Sequence, residues 1–190
     1  MERMNESESK GDFLFPESEI KFSNFWNRFG ASMLDGILII FVTMPITYMN
    51  VTRWKIPALF ILTSLIGITY KPFMEYRFGA TLGKMALHLR VVGKSFGKVT
   101  LQEELRRVSF YMIPEILQQI MTFHIYFTAS FLSIRHFQDY NELVIMSNPG
   151  IYWLNGIVFS LGVADCITFF LNPQRRALHD LYAGTYVIES

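Results

Sequence analysis

Cysteine and charge are both scarce in this chain of 190 residues. The single cysteine, Cys166, excludes an internal disulfide framework and leaves the redox compartment open. Charged residues make up only 17% of the sequence, where a soluble domain carries roughly 25%. The net charge of +1 gives no reason to expect nucleic acid as a partner. Residues 1–20 lack a basic stretch followed by an apolar run, so they read as a polar, disordered tail and not as a cleaved signal peptide. His88, His124, His136 and His179 have no metal-ligand spacing, and "GATLGK" and "GKSFGK" both fall short of a phosphate-binding loop. No nucleophile and base pair is visible by spacing. The expectation is therefore a protein with no metal, no cofactor and no enzymatic reaction.

What fills the sequence instead is apolar. Hydrophobic residues make up 51% and aromatics 16%, and the mean hydropathy is +0.27. Four segments, about 29–49, 56–76, 108–134 and 151–171, approach the ~20 apolar residues that cross a bilayer as a helix. The alternative, a soluble all-α bundle, requires core helices to sustain apolar runs of a length they rarely reach. The fold class read from the sequence is thus all-α integral membrane with four transmembrane helices, residues 21–190 forming one domain, with the lipid bilayer as its first partner. Pro114 is expected to kink the third span. Thirteen of the seventeen lysines and arginines fall in the N-terminus, the segment around 77–107 and the C-terminus, and Lys71 lies near that end of the second span, leaving Arg53, Lys55 and Arg135 for the other side. By the positive-inside rule the richer side is cytoplasmic, which places both termini inside a cytoplasmic membrane. The segment "RHFQDYNELVIMSNPG" then reads as an exterior loop closed by the turn signals Asn148, Pro149 and Gly150.

Three features organise the cytoplasmic face. Thr100 and Glu103 have capping-box spacing, so the third helix is expected to start near Leu101. The segments "TLGKMALHLRVV", from Thr81, and "ALHDLYAGTYVI", from Ala177, align without gaps and place Lys84 against Asp180. Each follows a helical pair and ends in β-branched residues, so the two tails are candidates for a short two-stranded sheet. Ile20, Phe22, Phe25, Trp26 and Phe29 stand among polar residues as in an amphipathic lead-in lying at the headgroups.

The ionisable residues inside the spans carry the functional question. Arg28 and Asp35 are seven residues apart, so they share a helix face with Asp35 about 10 Å deeper. Arg28 can snorkel, whereas a charged Asp35 costs roughly 2.5 kcal/mol or more unless a partner, water or a proton meets it. Glu115 and Asp165 fall at a similar depth in the third and fourth spans. Three carboxylates and one arginine are therefore expected in one layer, with Gln118 and Gln119 extending the polar face. Gly79 and Gly83 form a G-x-x-x-G, which allows close backbone packing.

These residues resemble the RDD family of small membrane proteins, named for one arginine and two aspartates. Arg28 and Asp35 in "RFGASMLDGILI" match the first two, Asp180 in "RRALHDLYAGTYVI" matches the second aspartate, and "GATLGKMALHLRVV" is similar to the Gly-Lys segment between them. Gly79, Gly83, Lys84, His179 and Gly184 belong to these interfacial motifs. The resemblance implies transport of an unspecified ligand. The residues suggest an ion- or proton-coupled role in which Asp35 binds a proton or cation, with Arg28 and Asp180 shaping the cytoplasmic mouth and Asp165 and Glu115 at the same level. Four helices alone leave little room for a path, so a homo-oligomer or another membrane protein is expected as partner. The competing reading is a non-transporting interaction or assembly protein whose buried charges hold helices together.

Overall fold

Asn24 starts the first helix. Its side chain accepts from the Asn27 backbone N–H at 2.7 Å, satisfying a donor that the helix itself leaves free, and α1 runs Phe25–Met49. The computed structural model describes residues 20–189, so the expected polar tail lies outside the described residues apart from Ile20. Phe25, Trp26 and Phe29 belong to α1 itself, while Phe22 forms a bridge with Ile188. The lead-in is thus not a separate amphipathic element.

α1 continues into a π-helical turn, Asn50–Trp54, which Lys55 ends in the left-handed region. α2, Pro57–Phe78, has proline in its first turn, where a missing N–H costs nothing. Gly79 ends it at φ 77°, a conformation in which a side chain is strained. The first tail follows as α3, Leu82–Ala86, and β1, Leu89–Val92. α4, Leu101–Phe123, begins on the expected capping box of Thr100 and Glu103 and continues through Pro114.

Beyond α4 the structure departs from the expected third span of 108–134. A 3₁₀ turn, His124–Phe127, breaks the helix, and α5, Ala129–Ser133, restarts on Thr128. The break lets Ile125, Tyr126 and Phe131 enter a buried cluster with Val51, Phe60 and Tyr140. The expected exterior loop is also a helix, α6, Phe137–Ser147, because Phe137, Tyr140 and Val144 recur at helical spacing and face that cluster. The turn signals at residues 148–150 act only to redirect the chain into α7, Gly150–Leu171. The second tail is α8, Leu178–Ala183, and β2, Tyr186–Glu189.

β1 and β2 pair antiparallel, with Val91 opposite Val187. The apolar face of this sheet packs on Ala31 of α1 together with Leu87 and Val99. The molecule therefore has two ends, the sheet joining residues 22, 89–92 and 186–189, and the aromatic cluster joining the far ends of α1, α2 and α4. Four long helices run between them. α1 with its π turn, α2 and α7 are long and apolar enough to cross a membrane, each with lipid-compatible residues exposed. α4 is as long but more polar, which leaves three such helices among the described residues.

Candidate functional site

The tails are repeats in structure as well as in sequence. Thr81 and Ala177, the residues preceding α3 and α8, have the same backbone angles, φ −74° and ψ 168°. A carboxylate from a long helix accepts the second backbone N–H of each short helix. Asp35 Oδ1 accepts from Gly83 at 2.7 Å, and Asp165 Oδ1 accepts from His179 at 3.1 Å. The two tails differ in their third helical residue, Lys84 in one and Asp180 in the other, and these opposite charges end up in one buried network.

Asp180 is fully buried and stands at the centre of that network. Its Oδ2 lies 2.5 Å from Arg28 Nη1, and its Oδ1 lies 3.3 Å from both Arg107 Nη2 and His179 Nε2. Arg107 continues through Nη1 to Glu75 at 2.8 Å, and Glu75 is also met by Lys84 Nζ at 2.8 Å. The other imidazole nitrogen of His179 is 2.6 Å from Asp165. Arg28 is oriented by Ser23 Oγ, which accepts from Nε at 2.6 Å, and stacks over Phe169 at 5.1 Å. Three cations, Arg28, Lys84 and Arg107, thus meet two carboxylates, Glu75 and Asp180, and Asp165 joins them through His179. Mutual compensation is what makes burying so many charges tolerable.

Burial alone would raise Asp180, but the neighbouring His179, Arg107 and Arg28 side chains outweigh it and hold the carboxyl far below the usual range. Burial, reinforced by Arg107, pushes the Lys84 ammonium down to about 8 although Glu75 pulls the other way. Glu104, one turn before Arg107 on the buried side of α4, has both carboxylate oxygens without a hydrogen-bond partner. Burial, together with the neighbouring Glu75, pushes it up to about 7.

The single layer of Arg28, Asp35, Glu115 and Asp165 expected from the sequence is therefore divided. Arg28 and Asp165 belong to the Asp180 network, the second through His179. Asp35 does not. It accepts from Tyr70 Oη at 2.8 Å, Thr81 Oγ1 at 2.6 Å and the Gly83 N–H, and so anchors α3 against α1 and α2. Glu115 is exposed and accepts from the Gln119 amide at 2.7 Å, and the Gln119 amide oxygen in turn accepts from Ser64 of α2. The G-x-x-x-G also divides. Gly83 permits a close approach, since a Cβ there would lie 2.2 Å from the Ala31 carbonyl, whereas Gly79 and Gly184 supply left-handed turns at φ 77°.

Sequence reasoning passed over Glu75, Glu104, Arg107, Tyr70 and Thr81 as members of the site. Glu75 carried a signal, an ionisable residue inside an apolar span, while Arg107 counted only toward sidedness. No group of three metal-ligating residues is assembled among the described residues.

Cavities adjoin the network. One of about 320 Å³ is lined by Ser32, Asp35, Tyr70, Lys71 and Lys84. A second, of about 390 Å³, lies nearer the aromatic end and is lined by Ser64, Glu115, Gln118, Gln119 and Thr122. Ile39 and Gly67 border both. A third, of about 440 Å³, opens between α1 and α7 over Arg28 and His179.

No curated protein and no solved structure matches the chain. The model of the RDD family matches residues 22–184, a range that includes Arg28, Asp35 and Asp180 and both short helices with the carboxylates that anchor them. This chain is a member of the RDD family.

Proposed function

We propose that the chain is a non-enzymatic, multi-pass protein of the cytoplasmic membrane with an ion- or proton-coupled transport role, in which Asp35 and Glu115 flank the path. The observation that carries this reading is the common border of two cavities. Ile39 and Gly67 separate the chamber of Asp35 from the chamber of Glu115, Gln118 and Gln119, so polar walls continue from the sheet end toward the aromatic end. The Asp180 network closes the sheet end, with Arg28 and Asp180 at its mouth. A path this narrow is consistent with a homo-oligomeric working form.

In this reading α4 from Val108 onward is the fourth span, and both termini face the cytoplasm. Support comes from its exposed Ile113, Leu117 and Ile120, which recur at lipid-facing helical spacing, while Glu104, Arg107 and Thr122 on its other faces are buried. The surplus of lysine and arginine at the sheet end supports the orientation.

The test is reconstitution in liposomes with an internal pH-sensitive dye, followed by pulses of sodium or potassium chloride. The expected result is cation-dependent proton movement that Glu115→Gln and Gly67→Leu abolish. A Cβ at Gly67 meets nothing within 4 Å, so leucine there fills the border without disturbing packing. Wild-type vesicles that move no protons overturn the reading.

One observation favours the rival, an assembly protein. Asp35 is met by three donors, as an anchor would be. That reading expects Asp35→Asn to lower the amount of folded protein and to leave no flux to lose. An Asp35→Asn protein that accumulates normally but moves no protons would exclude it.

A further inference from the structure

Lys71 is the surplus cation of the interior. Arg28, Lys84 and Arg107 each have a carboxylate within 4 Å, whereas Lys71, half-buried on α2, makes no ion pair among the described residues. Its ammonium lies 5.7 Å from the centroid of the Tyr111 ring. Glu75, one turn away on the same helix, is occupied by Lys84 and Arg107. Lys71 also borders the Asp35 cavity and the 440 Å³ cavity between α1 and α7. A half-buried ammonium without a counter-ion is costly, so the arrangement calls for an anion.

The shape of the larger cavity indicates which kind. α1 and α7 do not pack along their lengths. They meet through Phe25, whose ring lies 5.8 Å from Phe169 and 5.0 Å from Phe170. Beyond these rings the space between the helices is bordered by Ser32 and Gly162, both small, and by Phe29 and Cys166. Phe29 and Val163 are exposed on the outer surfaces beside it. The floor is basic, with Arg28, Lys71, Lys84, Arg107 and His179, against the one carboxylate Asp165, which His179 already occupies. Its volume falls within the roughly 300–1,000 Å³ of ordinary ligand sites.

We propose that this cavity binds the anionic headgroup of a membrane amphiphile, a phosphate or carboxylate, with Lys71 as its counter-ion and the acyl chain leaving between α1 and α7. The inference does not depend on the transport reading. The chemistry is shared by a free phosphate, but an opening flanked by apolar helix faces favours a ligand that arrives from the bilayer.

The test uses purified full-length protein in neutral detergent micelles doped with phosphatidylglycerol or phosphatidylcholine, with bound lipid counted by native mass spectrometry. Phosphatidylglycerol is expected to bind the wild type and Lys71→Arg, and phosphatidylcholine is not. Lys71→Gln is expected to weaken binding roughly tenfold, the worth of one charge-assisted hydrogen bond, whereas Lys98→Gln, an exposed control, leaves it unchanged. Gly162→Leu tests the cavity without touching its charge. A Cβ there meets nothing within 4 Å, so the variant is expected to fold and to lose bound lipid. If Lys71→Gln does not fold, Gly162→Leu decides. Equal binding of the two lipids, or undiminished phosphatidylglycerol on Gly162→Leu, overturns the proposal. Displacement of the lipid by stoichiometric inorganic phosphate overturns the amphiphile as the source of the anion.

Discussion

Arg28 on α1 reaches Asp180 on α8, 152 residues further along the chain, and leaves Asp35, on its own helix, to Tyr70, Thr81 and Gly83. Arg28, Asp35 and Asp180 thus do two mechanical tasks. One pair ties the C-terminal tail to the first helix, and the remaining aspartate ties the other tail to the same helix two turns further along. Asp35 and Asp165, each accepting the second backbone N–H of its short helix, hold α3 and α8 in equivalent poses, which lets β1 and β2 meet in register.

Removing one partner of the first pair strands a buried charge. Arg28→Gln or Asp180→Asn is expected to cost about 3–5 kcal/mol. The readout is a large fall in the apparent melting temperature in detergent and in monodisperse yield on size-exclusion chromatography. Variants that melt like the wild type would show that the pair contributes nothing to folding.

Gly83→Ala places a Cβ 2.2 Å from the Ala31 carbonyl and 2.9 Å from the Asp35 carboxyl carbon. Backbone must move to admit it, so a loss of about 1–3 kcal/mol is expected. Gly156→Ala in α7, whose Cβ would meet nothing within 4 Å, is expected to be neutral or to stabilise by up to about 1 kcal/mol through helix propensity. Thermal melts of the two variants beside the wild type check both signs.

Thr81 is fully buried and works in both directions, donating to Asp35 and accepting from the Lys84 N–H at 3.3 Å. Thr81→Val keeps the shape and removes both bonds, with an expected loss of about 1–3 kcal/mol. Thr81→Ser restores the hydroxyl and is expected to recover most of it. Equal melting of the valine and serine variants would refute the role.

Glu104 gives the molecule a pH-dependent stability. Its carboxyl is pushed up to about 7 from the ordinary 4.5, so between these values the folded protein holds a proton that the unfolded chain has released. Stability from this group is fully present below about 4.5 and falls as pH rises through about 7. The Lys84 ammonium, down at about 8, begins to act in the opposite sense only above that value. Melting temperatures between pH 5 and 7.5 are expected to fall for the wild type and to stay flatter for Glu104→Gln. Parallel profiles would remove Glu104 as the cause.

Particular residues show which parts of the fold are legible in sequence. The apolar runs locate α1, α2 and α7 because a continuous hydrophobic helix is a local property. Thr100 with Glu103 marks the start of α4 for the same reason, since both partners of a capping box lie within one turn. The alignment of the two tails foretells the sheet, because two copies of one segment fold alike and carry matching β-branched ends. The break after Phe123 and the helix at 137–147 are not legible, because burying Tyr126 and Phe131 against Val51, Phe60 and Tyr140 depends on residues far apart in the chain.

The sequence by itself determined a helical membrane-type chain of the RDD family and the residues whose charge needs an explanation. Hydropathy, capping and repeat patterns are set by neighbours within a few turns, so they survive in one dimension. Only the tertiary structure decided which charges meet. A carboxylate in an apolar helix announces that it has a partner, but whether Arg28 finds Asp35 or Asp180, and whether Glu75 is reached by Arg107, depends on which helix faces pack together. That choice, made by the fit of Gly83 against Ala31 and of the sheet against α1, turned one expected layer of charges into an ion-pair network, a separate anchor at Asp35 and an exposed Glu115.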